Sequence, residues 1–234
     1  MELMLKTLRE GLPALCLELE EDRCRKLCEF GTAMVKQNEV MNLTGITEDT
    51  QVAKLHLLDS LTVLATVDLK GKTLIDVGCG AGFPGVPLSI ACPEAKITLL
   101  DSLAKRMNWL EAVLPRLGVA NARCVTARAE EEVAKCRETY DFATSRAVAR
   151  LNVLLELTAP YVRVGGAVLA MKGSAAREEL AEAKNAVSQL GLKVEEIRDF
   201  TIDGAIHSVI VLRKVKPTPA RFPRRFSKIK QAPL

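Results

Sequence analysis

Apolar residues recur at helical intervals through the first seventy positions, and then the pattern shortens. Leu3, Leu8, Leu12 and Leu15 form one stripe, with Pro13 as a break or a fresh start. The spacing from Leu17 to Val40 predicts a second helix. Met41-Asn42-Leu43-Thr44-Gly45 reads as a turn, because Asn and Gly tolerate left-handed backbone and Thr44 and Thr47 offer cap hydroxyls. Another helix is expected from Glu48 to Leu58, with Asp59 or Ser60 capping the next one.

From Lys72 onward strand and helix signals alternate. Strands are expected at 73–77, 96–100, 122–125, 140–145, 162–171, 192–200 and 206–212. Helices are expected at 85–92, from Leu103 to Leu117, at 129–135 and 151–159, and as one long helix from Arg177 to Leu190. Gly165-Gly166 reads as a turn at the front of the fifth strand, and Asp203-Gly204 suits a hairpin. Alternation implies a parallel sheet with right-handed crossovers, and the closing hairpin makes the last strand antiparallel. The fold class is therefore α/β: a Rossmann-like, seven-stranded, mostly parallel sheet with an N-terminal helical extension. Three parts are expected: the extension over 1–70, a core over 71–214 and a basic tail over 215–234.

Composition sharpens this picture. The 234 residues are 48% hydrophobic but only 4% aromatic, so the core must be built from Leu, Val, Ile and Ala. No apolar stretch reaches the length of a membrane span and no leader pattern opens the chain, so a cytoplasmic protein is expected. The seven cysteines are scattered without a C-x-x-C pair, and the two histidines, His56 and His207, lie far apart. Reduced thiols and no metal site are expected. The net charge is only +4, yet Arg213, Lys214, Lys216, Arg221, Arg224, Arg225, Lys228 and Lys230 follow one another with no acid between them. A mildly acidic body with a cationic tail, interleaved with Phe222, Phe226 and Ile229, favours a polyanionic partner such as RNA. Nothing demands a dimer, and a monomer is expected.

The chemistry concentrates where expected strands end. Gly78, Gly80, Gly82 and Gly85 follow the first strand, with Asp76 inside it. A dinucleotide fingerprint would put the acid about 20 residues later, so the order here favours a different nucleotide-like ligand. Asp101 ends the second strand, where a carboxylate suits a ribose diol or a helix cap. Ala129 and Glu130 follow the third strand, where an adenine edge should fall, and Arg146 ends the fourth. Arg146 is read either as a cofactor or guanine ligand or as the salt-bridge partner of Asp76 or Glu130. The Asn/Asp-Pro-Pro-aromatic motif of amino-methylating enzymes is absent, since Ser145-Arg146-Ala147-Val148 stands there, and there is no Pro-Cys nucleophile dipeptide.

The glycine set resembles motif I of the class I S-adenosylmethionine methyltransferases. The chain as a whole resembles the small-subunit ribosomal RNA methyltransferase G family, also called glucose-inhibited division protein B. The residues that carry this are Asn38, Asn42-Leu43-Thr44, His56 to Leu61, Asp76 to Gly85 with Gly82-Phe83-Pro84-Gly85, Asp101-Ser102 with Lys105-Arg106, Arg128-Ala129-Glu130, Ser145-Arg146-Ala147, Lys172-Gly173, Phe222 to Arg225 and Pro233-Leu234. Gln37 and Phe222 depart from an aromatic and a Tyr common in relatives.

The resemblance implies S-adenosylmethionine as cofactor and methyl transfer to guanine N7 of 16S ribosomal RNA in the small subunit. It places Gly78, Phe83, Ala129, Glu130 and Arg146 around the cofactor, to which Gly80 and Asp101 are added on physical grounds. Guanine N7 already carries an in-plane lone pair, so no base must remove a proton. Arg146 and His56 are therefore candidates for positioning rather than for proton transfer. Lys172, Arg221, Arg224, Arg225, Lys228 and Lys230 are the candidate RNA contacts. The rival reading is a ribosome assembly factor that binds RNA on the same fold without turnover.

Overall fold

The computed structural model describes residues 1–147 and 149–234; Val148, in the segment after the fourth strand, lies outside the described residues. Seven strands form one sheet: β1 (Thr73–Val77), β2 (Lys96–Asp101), β3 (Ala122–Thr126), β4 (Tyr140–Arg146), β5 (Val162–Lys172), β6 (Leu192–Ile202) and β7 (Ala205–Lys214). Their order is β3-β2-β1-β4-β5-β7-β6. β7 runs antiparallel to both β5 and β6, and the remaining pairs are parallel. The sheet reverses direction of growth between β1 and β4, which makes the carboxyl ends of those strands a natural ligand crevice.

Alternation along each strand divides the core in two. Leu74, Leu99, Leu169, Met171, Val209 and Val211 face one side. Ile75, Val77, Val168, Ala170, Ile210 and Leu212 face the other. Helices α1 (Glu2–Gly11), α2 (Glu21–Met41), α3 (Asp49–Val52) and α4 (Asp59–Thr66) cover the first side together with the crossovers α5 (Gly85–Ala91) and α6 (Ala104–Arg116). The crossovers α5 and α6 join only β1, β2 and β3. The helices from residues 1–70 therefore supply the cover over the β4–β6 half, where α4 packs on β7 and β6. Helices α7 (Ala129–Cys136), α8 (Leu151–Thr158), α9 (Ala176–Glu182), α10 (Lys184–Gln189) and α11 (Phe226–Gln231) cover the second side.

Several expectations need correction. The second helix starts at Glu21 rather than Leu17, after a 3-10 turn at Leu12–Leu15. Asp59 and Ser60 do not cap a fresh helix: the chain stays helical from Asp49 through Thr66, with a π-helical stretch over Ala53–Leu58, and α4 follows without a side-chain cap. The expected long helix is two, α9 and α10, meeting at Ala183, a buried residue. Gly165 and Gly166 lie inside β5, where the register against β4 jumps, and a Cβ at Gly166 would run into the Asp141 carbonyl, so only glycine fits there.

The tail is docked rather than extended. Phe222 and Ile229 are buried, and Arg224 pairs with the fully buried carboxylate of Glu156 at 2.6 Å. Lys214, also buried, donates to Ala159 O at 2.8 Å and pairs with Glu138. Burial pushes the Lys214 ammonium down, against the pull of Glu138.

Candidate active site

The loop after β1 begins where Gly78 and Cys79 donate to Leu100 O at 2.7 and 3.1 Å. Gly78, Gly80 and Gly82 all take positive φ, which L side chains rarely tolerate. A Cβ at Gly85 would stand 2.2 Å from Leu99, so the start of α5 can approach β2 only with glycine there. Asp76 binds this turn from below, since its Oδ2 accepts from Gly85 N at 2.8 Å. Burial pushes the Asp76 carboxyl up to about 7, against the pull of that N–H. Its Oδ1 has no hydrogen-bond partner among the described residues. Asp101 ties β2 to the same loop: Oδ2 accepts from Gly80 N at 3.0 Å and Oδ1 from Leu103 N at 2.9 Å.

These elements surround a cleft of about 670 Å³, lined by Gly78, Gly80, Phe83, Asp101, Ala129, Glu130 and Arg146 among others. Every residue expected at the cofactor thus lines one cavity, and so does His56. Ala129 and Glu130 open α7, where helix geometry leaves backbone N–H groups without an intrahelical acceptor. Arg106, Arg128 and Phe226 also line the cleft. Phe226 belongs to the expected RNA-binding tail, and nothing in its local sequence marks it as a wall of this cleft.

Arg146, at the end of β4, forms another wall of the cleft. Its Nη1 donates to Leu55 O at 3.0 Å and to Asp59 Oδ2 at 2.7 Å. The partner is Asp59, not Asp76 or Glu130. Nη2 lies 3.2 Å from His56 Nδ1; a guanidinium can only donate, so Nδ1 accepts and Nε2 carries the imidazole proton. That Nε2 sits 2.9 Å from Thr44 Oγ1, which also accepts from Ile46 N. Burial, with the charge of Arg146 second, pushes His56 down to about 4, so the ring is neutral at pH 7. Phe83 stacks on His56 at 4.8 Å and receives the guanidinium over its face at 5.1 Å. Asp59 in turn accepts from His207 Nδ1 at 2.7 Å. Burial works to raise the Asp59 carboxyl, but the hydrogen bonds from His207 and Arg146 hold it low.

The candidate RNA contacts are not brought to one place. Arg221, Arg225, Lys228 and Lys230 are exposed. Lys172 is turned inward: its side chain is 7% exposed and pairs with Glu179 at 2.8 Å. Arg224 is held by Glu156. Among the described residues no group of His, Cys, Asp and Glu could hold a metal ion, and no helix is long and apolar enough to cross a membrane.

The donor set fits a nucleoside bearing an amino-acid arm. Gly80 takes a positive φ and keeps its backbone bare toward the cleft, a carboxylate waits at the end of β2, and helix-start amides follow β3. This sheet order and cleft define an S-adenosylmethionine-dependent methyltransferase. Among solved structures the chain resembles a 16S ribosomal RNA adenine-N1 methyltransferase variant from Catenulisporales acidiphilia, with a TM-score of 0.55 and 17% identity, covering 64% of this chain and 87% of that one.

The model of the rRNA small subunit methyltransferase G family matches residues 23–207, and the chain belongs to that family. It is 40% identical over 232 residues to the ribosomal RNA small subunit methyltransferase G of Clostridium perfringens strain 13, covering 97% of both chains. The enzyme of the same name from Alkaliphilus metalliredigens is 42% identical over 223 residues, covering 93% of both.

Proposed function

We propose that this protein transfers a methyl group from S-adenosylmethionine to N7 of a guanine in the 16S ribosomal RNA of the small subunit. The observation that carries this is the wall at His56. Both ring nitrogens are engaged, Nδ1 by Arg146 and Nε2 by Thr44, and the ring is neutral. This wall presents no free base, so it suits an acceptor that already holds an in-plane lone pair. An exocyclic amine would need a proton removed; guanine N7 does not. The relatives' name supplies the ribosomal RNA of the small subunit as the substrate class.

The bound cofactor supplies an electrophilic methyl on a sulfonium. The glycine loop and Asp101 would hold its position, the start of α7 would offer amides to a base edge, and Phe83 with Arg146 would line the side toward the acceptor. The task left to the protein is alignment and exclusion of water, worth several kcal/mol at most from positioning alone. The exposed tail cations Arg221, Arg225, Lys228 and Lys230 are suited to RNA phosphates, whereas Lys172 and Arg224 serve the fold. A ribosomal substrate puts the reaction in the cytoplasm.

The test is methyl transfer from labelled S-adenosylmethionine to small-subunit particles lacking their own modification, followed by digestion to nucleosides. N7-methylguanosine is the expected product. Cofactor binding with no transfer to any ribosomal RNA would replace this reading with the non-catalytic assembly factor.

A further inference from the structure

Behind Arg146 lies a second cavity of about 590 Å³. It shares His56, Arg146 and Ala147 with the cofactor cleft, so the two spaces meet at one wall. Ile46, Leu55 and Met171 give it apolar sides. Its distinctive polar group is His207, at the start of β7. An ionised Asp59 only accepts, so His207 Nδ1 carries the proton between them. Nε2 has no hydrogen-bond partner among the described residues, on a side chain that is 22% exposed. The ring is therefore fixed at one end and open at the other.

We propose that this second cavity receives the acceptor guanine, with His207 Nε2–H held on its O6 and N7 turned toward the cofactor cleft. The proposal rests on the methyl-transfer reading above and names the groups that would meet its acceptor. O6 and N7 are neighbouring acceptors on one edge of guanine, so a donor fixed on O6 places N7. Adenine carries an amino group at that corner and would set N–H against N–H. A base taken out of its stack needs apolar flanks and a few edge contacts, which the cavity supplies.

Nε2 donates only while His207 is protonated, and the hydrogen bond to Asp59 raises its pKa above the ordinary histidine value. The charged groups around the same space are Asp59, Arg146, Arg150 and the Lys172–Glu179 pair. Along β6, Asp199 binds Ser208 and pairs with Arg177.

Two variants test this on the full-length enzyme with unmodified small-subunit particles. Gly173 lines the second cavity, and a Cβ there meets nothing within 4 Å, so Gly173→Leu fills the space without a clash at its root. His207→Asn keeps an amide N–H for Asp59 and removes Nε2. Both are expected to bind S-adenosylmethionine within about two-fold of wild type by calorimetry. His207→Asn should lower kcat/KM for the particle by about 10-fold to 100-fold, the range for a lost hydrogen bond to a charged group. His207→Gln, which can return an N–H near the lost position, should recover part of it. Wild-type kcat/KM should fall as pH climbs above the ordinary histidine range, and the Asn variant should lack that fall. Gly173→Leu should abolish transfer. Unimpaired transfer by Gly173→Leu, or an unchanged kcat/KM and pH profile in His207→Asn, would overturn the cavity assignment while wild type still makes N7-methylguanosine. A wild-type enzyme that makes none overturns the functional reading and this one with it.

Discussion

At the scale of single residues, the site depends on buried charges whose partners are distant in sequence. Asp76 is the sharpest case. Burial holds its folded pKa at about 7, well above the ordinary carboxylate value of 3.8. A carboxyl raised in this way favours the folded state when protonated, so its contribution is fully present below the unfolded pKa and is lost as pH rises through 7. Asp76→Asn keeps an oxygen for Gly85 N and removes the titration. The difference in thermal midpoint between the Asn variant and wild type should therefore grow in the variant's favour from pH 5 to pH 8. A constant difference would show that Asp76 titrates normally. Gly78, Gly80 and Asp101 were legible in sequence because loop and strand end sit within a short stretch whose spacing states the geometry. Arg146 was legible as a residue but not in its partner. Asp59 is 87 positions away on a helix whose periodicity marks it only as polar, and nothing local distinguishes it from Asp76.

At the scale of elements, irregularities are where the site is made. The π-helical stretch Ala53–Leu58 holds both Leu55, whose carbonyl accepts from Arg146, and His56. Wider helical turns of this kind often occur at functional sites. Periodicity predicted the helix but not the change in winding, because an inserted residue leaves the apolar stripe nearly intact. The break at Ala183 was equally silent, since it joins two short helices without Gly or Pro. The tail was misread for a different reason: its prolines and charges look solvated until a buried carboxylate is found beneath them. Glu156, fully buried on α8, accepts from both the backbone and the side chain of Arg224. Arg224→Ala strips that carboxylate of its cation and should cost about 3 kcal/mol in urea unfolding. The paired change Glu156→Leu with Arg224→Met should recover most of it, because an apolar pair removes the desolvation penalty. A single variant as stable as wild type would show that the tail is not anchored there.

At the scale of the whole molecule, the sheet is closed by pieces from both ends of the chain. The alternating strands and the antiparallel β7 were readable as a class. Which face residues 1–70 would cover was not, because that depends on the side each crossover takes. On the opposite face the tail brings one exposed cation, Arg225, beside the cleft. A second hollow, lined by Arg128, Arg225 and Phe226, adjoins it there. Replacing Arg225, Lys228 and Lys230 with Gln should leave S-adenosylmethionine affinity unchanged. It should weaken binding to ribosomal RNA and flatten the plot of log affinity against log salt by about 0.7 to 0.9 per lost phosphate contact. An unchanged slope would remove the tail from the RNA interface. Phe226, the first residue of α11, is one wall of the cleft beside the glycine loop. Loosening the tail would therefore strip one wall from the cleft as well as an anchor from the core.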